Sequence, residues 1–101
     1  MYGFTSQMKA LFDRHYSLVT GYGSPDYVSL LRGRRTALLV TCGGPVEDNV
    51  DLIQKAFERE GAYQQWDIAG TYVVPSCGSP DALGDRAMTV AIEMFRDVVG
   101  A

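Results

Sequence analysis

Cysteine is scarce in this chain: Cys42 and Cys77 are the only two in 101 residues. Two isolated thiols exclude a disulfide scaffold and a zinc ribbon. Basic residues are also few. Nine Lys+Arg against twelve Asp+Glu leave a net charge of −3, without the basic face that a nucleic-acid partner needs. No apolar run approaches the roughly 20 residues that span a bilayer, so no membrane partner is expected. No signal peptide precedes Met1-Tyr2-Gly3-Phe4, and a reducing cytoplasm is the expected location. Internal repeats and low-complexity stretches are missing too. What is present is ordinary globular material, 47% apolar and 21% charged, too apolar to stay disordered.

Periodicity organises this material into five elements. Met8, Leu11, Phe12 and His15 recur at helical spacing, which predicts a helix from Ser6 to Tyr16 with Thr5 or Ser6 as N-cap. Gly, Pro, Ser and Tyr between Thr20 and Gly33 read as a loop, tacked to the core by the apolar patch Tyr27–Leu31. Thr36–Cys42 is continuously apolar, as expected of a strand covered on both faces. Gly43-Gly44-Pro45 ends it. Glu47 or Asp48 then opens a helix carrying Val50, Ile53, Ala56 and Phe57, with Gly61 as its C-cap. A second strand is expected within Trp66–Val74, where Gly70 signals a bulge or a close backbone approach. After a Pro75–Pro80 loop, Ser79-Pro80 reads as the start of a last helix. Its apolar face is Leu83, Ala87, Val90, Ala91, Met94 and Val98.

The order α-β-α-β-α contains one βαβ unit, hence two parallel strands joined by a crossover helix. Two parallel strands are a poor platform for three helices. The first strand has no internal charge or proline to blunt an exposed edge. The expectation is a partial α/β fold, completed by self-association.

Particular residues resemble a family. Tyr2-Gly3-Phe4-Thr5-Ser6-Gln7-Met8-Lys9-Ala10-Leu11-Phe12-Asp13-Arg14 looks like the segment after the third strand of the NADPH-dependent FMN reductase superfamily, and its iron–sulfur flavoprotein branch looks especially close. Leu31-Arg32-Gly33-Arg34 resembles the approach to the fourth strand, and Thr41-Cys42-Gly43-Gly44 the loop after it. The resemblance runs from Tyr2 to Val98. It implies a flavodoxin-like doubly wound sheet of order 2-1-3-4-5 with FMN at the carboxyl ends of its strands. On that map residues 1–101 form the C-terminal portion of one domain, truncated to strands four and five. The first three strands, the phosphate loop and any iron–sulfur cysteine cluster lie outside it.

The resemblance implies that Tyr2, Gly3, Phe4 and Thr5, together with Thr41, Cys42, Gly43 and Gly44, face the flavin ring. It implies no catalytic side chain and no metal ligand. The implied activity is that of an oxidoreductase passing hydride from NAD(P)H through FMN to a small-molecule electron acceptor, in a homo-oligomer. A non-catalytic assembly or binding module that has lost the phosphate loop is the alternative. The residues by themselves also allow plainer readings. Tyr2 and Phe4 can simply tether a terminus, Gly43-Gly44-Pro45 can be a turn, and Cys42 can be a small buried hydrophobe. His15 reads as a core or interface residue, and Arg32, Arg34 and Arg35 read as a solvated strand entry.

Overall fold

The computed structural model describes residues 2–100, with the side chain of Ala82 excepted. Helix α1 spans Ser6–Arg14. Thr5 caps it as expected, its hydroxyl accepting the Met8 N–H at 3.2 Å. The helix is shorter than the periodicity suggests. His15–Leu18 tightens into a 3₁₀ turn that leads to strand β1, Val19–Thr20.

Within the expected loop lies a small antiparallel hairpin. Strand β1 pairs with β2, Val28–Ser29, across a turn in which Gly21 adopts φ 69°. The patch Tyr27–Leu31 does tack this hairpin down. The Tyr27 hydroxyl donates to the Tyr63 carbonyl at 2.5 Å. The buried Ser29 hydroxyl donates to Gln64 Oε1 at 2.5 Å, and its N–H donates to Gln65 Oε1 at 2.9 Å.

The main sheet is a parallel pair, as the order of elements implies. Strand β3 is Arg35–Thr41 and strand β4 is Asp67–Val74. Helix α2, Asp51–Gln64, connects them. The pair begins in register with Arg35 opposite Asp67, an alignment supported by a 3.2 Å ion pair between these side chains. The register shifts between Thr36, opposite Ile68, and Ala37, opposite Gly70. Gly70 therefore sits at a bulge and also allows a close approach. A Cβ there would lie 2.6 Å from the Tyr72 hydroxyl oxygen.

Three sequence expectations need correction here. Helix α2 begins at Asp51, because Glu47 is extended and Asp48 takes a left-handed φ of 54°. Gly61 does not cap it. The helix continues to Gln64 and ends on left-handed Gln65, φ 58°, while Gly61 lets Ile68 close in, where a Cβ would lie 2.5 Å from its Cδ1. The last helix is broken: α3, Pro80–Leu83, stops at Gly84, φ 54°, and α4 runs Arg86–Val99.

The two faces of the sheet are covered differently. Arg35 donates to the Val98 carbonyl at 3.2 Å and the Tyr72 hydroxyl donates to Asp97 at 2.6 Å. These contacts place Arg35, Ala37, Leu39 and Thr41 on the α4 face, because side chains alternate along a strand. Thr36, Leu38 and Val40 then share the other face with α2, whose Gln54 amide donates to Thr71 at 3.2 Å. Val50 and Phe57 are buried on the α2 face, Tyr72 and Val74 on the α4 face.

The strand β3 is not covered on both faces, contrary to its composition: Leu39 is 48% exposed. The radius of gyration, 15.5 Å, exceeds the value of about 13 Å usual for 100 residues. The accessible surface of 7040 Å² likewise exceeds the about 5,700 Å² expected for a folded monomer of this mass. The molecule is α/β with a small parallel sheet, and one side of that sheet is open.

Candidate functional site

The open side of β3 is a groove of about 600 Å³, within the range of small-molecule sites. Three parts of the chain build it. Gly3, Phe4 and Thr5 enter from the segment that leads into α1, and Met8 and Phe12 follow one and two turns on. Residues Thr36 to Thr41 supply the sheet edge, and Ile53, Phe57 and Trp66 the floor.

An aromatic cluster gives the floor its shape. Phe4 meets Phe12 edge-on with ring centroids 4.8 Å apart, and Phe12 lies 6.0 Å from Trp66. Trp66 in turn lies 5.6 Å from Phe57. These are ordinary aromatic pairing distances. His15 joins the cluster 6.3 Å from Trp66, where it packs within the chain.

The polar side of the groove is backbone. Cys42 donates its N–H to Val74 and accepts from Cys77 N–H through its carbonyl, and Arg34 accepts from Asp67 N–H. In a parallel strand the N–H and C=O of one residue point the same way, and alternate residues point opposite ways. The even-numbered residues of β3 therefore bond to β4. The N–H and C=O groups of Ala37, Leu39 and Thr41 face the open side. The buried Thr36 hydroxyl has no hydrogen-bond partner among the described residues. A flat, largely apolar ligand with donors and acceptors along one edge suits such a slot. Among the described residues no charged side chain lines it.

The sequence candidates divide into two groups. Gly3, Phe4, Thr5 and Thr41 line the same groove, although the loops that carry them are far apart in sequence. Tyr2 stands exposed beside it. Cys42, Gly43 and Gly44 are not among the lining residues. The half-buried Cys42 thiol turns back to the Gly44 carbonyl at 3.3 Å, and Ser76 N–H donates to the same carbonyl at 3.0 Å. A Cβ on Gly44 would meet the Asn49 amide at 3.0 Å. These residues thus join the loops after β3 and β4 and make the structural turn that their composition also allowed. Arg35 is engaged with Asp67 and Val98, as a strand-entry residue would be.

Sequence reasoning missed Phe12, Phe57 and Trp66 as site residues. The only signal was that the single tryptophan follows a helix and precedes a strand. Among the described residues no group of His, Cys, Asp or Glu could hold a metal ion, and no helix is long and apolar enough to cross a membrane. Compared with protein-family models, with curated proteins and with solved structures, the chain matches none.

Proposed function

We propose that this chain is the ring-binding portion of an FMN-dependent NAD(P)H oxidoreductase of flavodoxin-like type, working in the cytoplasm. One observation carries the reading. Gly3–Thr5 and Thr41, assigned to the flavin ring from sequence resemblance alone, line a single apolar groove along β3. Phe4, Phe12 and Trp66 supply an apolar aromatic wall for an isoalloxazine ring to lie against, with rings tilted to one another and not coplanar. The outward backbone groups of Ala37, Leu39 and Thr41 supply donors and acceptors for its polar edge. Bound there, the flavin would accept hydride from NAD(P)H and deliver reducing equivalents to a small-molecule acceptor; the protein's part is to hold and orient it.

The fit is to the ring and not to the phosphate. Among the described residues no Lys or Arg lines the groove, so the ribityl phosphate meets no cation of theirs there. This chain should therefore bind FMN and riboflavin alike, within about threefold, a difference under 1 kcal/mol. Flavin titration followed by Trp66 fluorescence tests it, since the single tryptophan forms part of the floor. Saturable quenching by both flavins is expected. Unquenched fluorescence, with colourless protein after gel filtration in FMN and no FMN-dependent NAD(P)H oxidation, would sink the proposal. The excess exposed surface favours a second reading, a non-catalytic assembly module. In that case the protein associates but quenching is absent.

A further inference from the structure

The search for unpartnered surface leads to α4. Leu83 on α3, followed by Ala87, Val90, Met94 and Val98 on α4, forms an apolar row turned toward the sheet and half-buried. A second apolar row runs beside it and is exposed: Met88 at 65%, Ile92 at 44%, Phe95 at 64% and Val99 at 64%. Ala91, expected on the inward face, is exposed between the two rows. The polar flank is elsewhere. Arg86 reaches the Pro75 carbonyl at 2.8 Å, and Asp97 receives the Tyr72 hydroxyl. At 100° per residue the exposed row lies a little over 100° round the helix from the inward row, and Arg86 and Glu93 fall on the far flank. Two adjacent apolar rows make a wider apolar surface than the one sheet face can cover, and the second row is left without a partner among the described residues.

We infer that a second copy of this chain covers the row, with the two α4 helices antiparallel across a two-fold axis. The spacing is the first argument. Steps of four, three and four residues separate Met88, Ile92, Phe95 and Val99, the spacing of a helix-pairing seam. The seam is symmetric about its midpoint. Reversing the helix superimposes it on itself, so Met88 meets Val99 of the partner subunit and Ile92 meets Phe95 of the partner subunit. An isologous contact requires this self-complementarity.

Area is the second argument. The chain exposes about 1,400 Å² more than a folded monomer of its mass. A stable pair buries about 800 Å² on each partner; the surplus of the whole chain exceeds this, and the α4 row holds four of its exposed large apolar side chains. None of Met88, Ile92, Phe95 and Val99 lines the groove along β3, so this inference does not rest on the flavin reading.

Sedimentation of the purified chain tests it, together with the variants Phe95→Asp and Met88→Lys. These side chains are exposed in the single copy, so the fold, followed by circular dichroism, should survive the change. A dimer at micromolar concentration that both folded variants convert to monomer is the expected result. Oxidation of mixed Met88→Cys and Val99→Cys chains provides a second measurement. Peptide mapping should find a disulfide joining position 88 of one chain to position 99 of the other. A monomer at every concentration overturns the inference. So does a dimer that survives both substitutions, or cross-linking confined to like positions.

Discussion

Gln64 is the side chain on which the hairpin depends, and its removal offers a quantitative test. It is fully buried, at 0% exposure, near the end of α2. Its Oε1 accepts from Ser29 at 2.5 Å and its Nε2 donates to the His15 carbonyl at 3.1 Å. One amide thus binds both the hairpin and the turn after α1 to the same helix. Gln64→Ala leaves both partners without it. An orphaned buried polar group costs about 1–3 kcal/mol. The lost side-chain bulk adds about 1 kcal/mol or more, while the better helix propensity of alanine returns a few tenths. The sum is about 2–4 kcal/mol, a large share of the stability of any small domain. Gln64→Met keeps the volume and should cost about 2 kcal/mol, the hydrogen-bond part alone. Urea unfolding followed by circular dichroism reads these losses as a lower midpoint at constant slope. Because Ser29 and Gln64 share a bond, Ser29→Ala combined with Gln64→Ala should cost less than the sum by about 1–2 kcal/mol. A loss below about 1 kcal/mol for Gln64→Ala, or strict additivity with Ser29→Ala, would refute the reasoning.

Other outcomes follow from single contacts. Gly21→Ala places a Cβ 2.5 Å from the Asp26 carbonyl oxygen at a φ of 69°, and should destabilise the chain by about 2 kcal/mol or more in the same urea assay. Thr5→Ala removes the α1 cap and should cost about 1 kcal/mol; because Thr5 lines the groove, flavin quenching of Trp66 should weaken as well. The hydrogen bond to Asp97, with burial and the carboxylate charges of Asp97 and Glu93 behind it, pushes the Tyr72 hydroxyl up to about 12 from its usual 10.0. The folded state therefore holds that proton more tightly than the unfolded state. The resulting stability is complete below pH 10 and lost as pH rises toward 12. Unfolding midpoints measured across this window should fall, and Tyr72→Phe should flatten the fall. Cys42→Ser should leave flavin quenching unchanged, since the thiol faces the Gly44 carbonyl and not the groove.

Local chemistry made some of this structure legible in the sequence. The parallel pair came from the strand–helix–strand order, the bulge from Gly70 and the first cap from Thr5. Each depends on residues close together in the chain. The failures have a different cause. Gly61 looks like a helix terminator, but its missing side chain serves the approach of Ile68, and Gln65 takes the left-handed position instead. Strands β1 and β2 have two residues each, too few for an alternation to register. Helix α4 shows one apolar row convincingly, and the second row, offset by one residue, has the same period and is hidden by it. The groove was half legible. The resemblance named Gly3–Thr5 and Thr41, whereas Phe12, Phe57 and Trp66 join them only through tertiary packing. The same packing removed Cys42, Gly43 and Gly44 from the lining.

The alternation along β3 makes one strand into two ribbons of different durability. The amides of Thr36, Leu38 and Val40 are held by β4, so their protons should exchange with solvent only when the sheet opens. Those of Ala37, Leu39 and Thr41 face the groove and should exchange quickly, unless a ring or another strand occupies it. The same exposed row is a template for adding a strand, and Arg35, the cation at its start, is already committed to Asp67 and Val98. In a crowded solution, whatever fills the groove therefore also protects this protein from clumping through its own sheet edge.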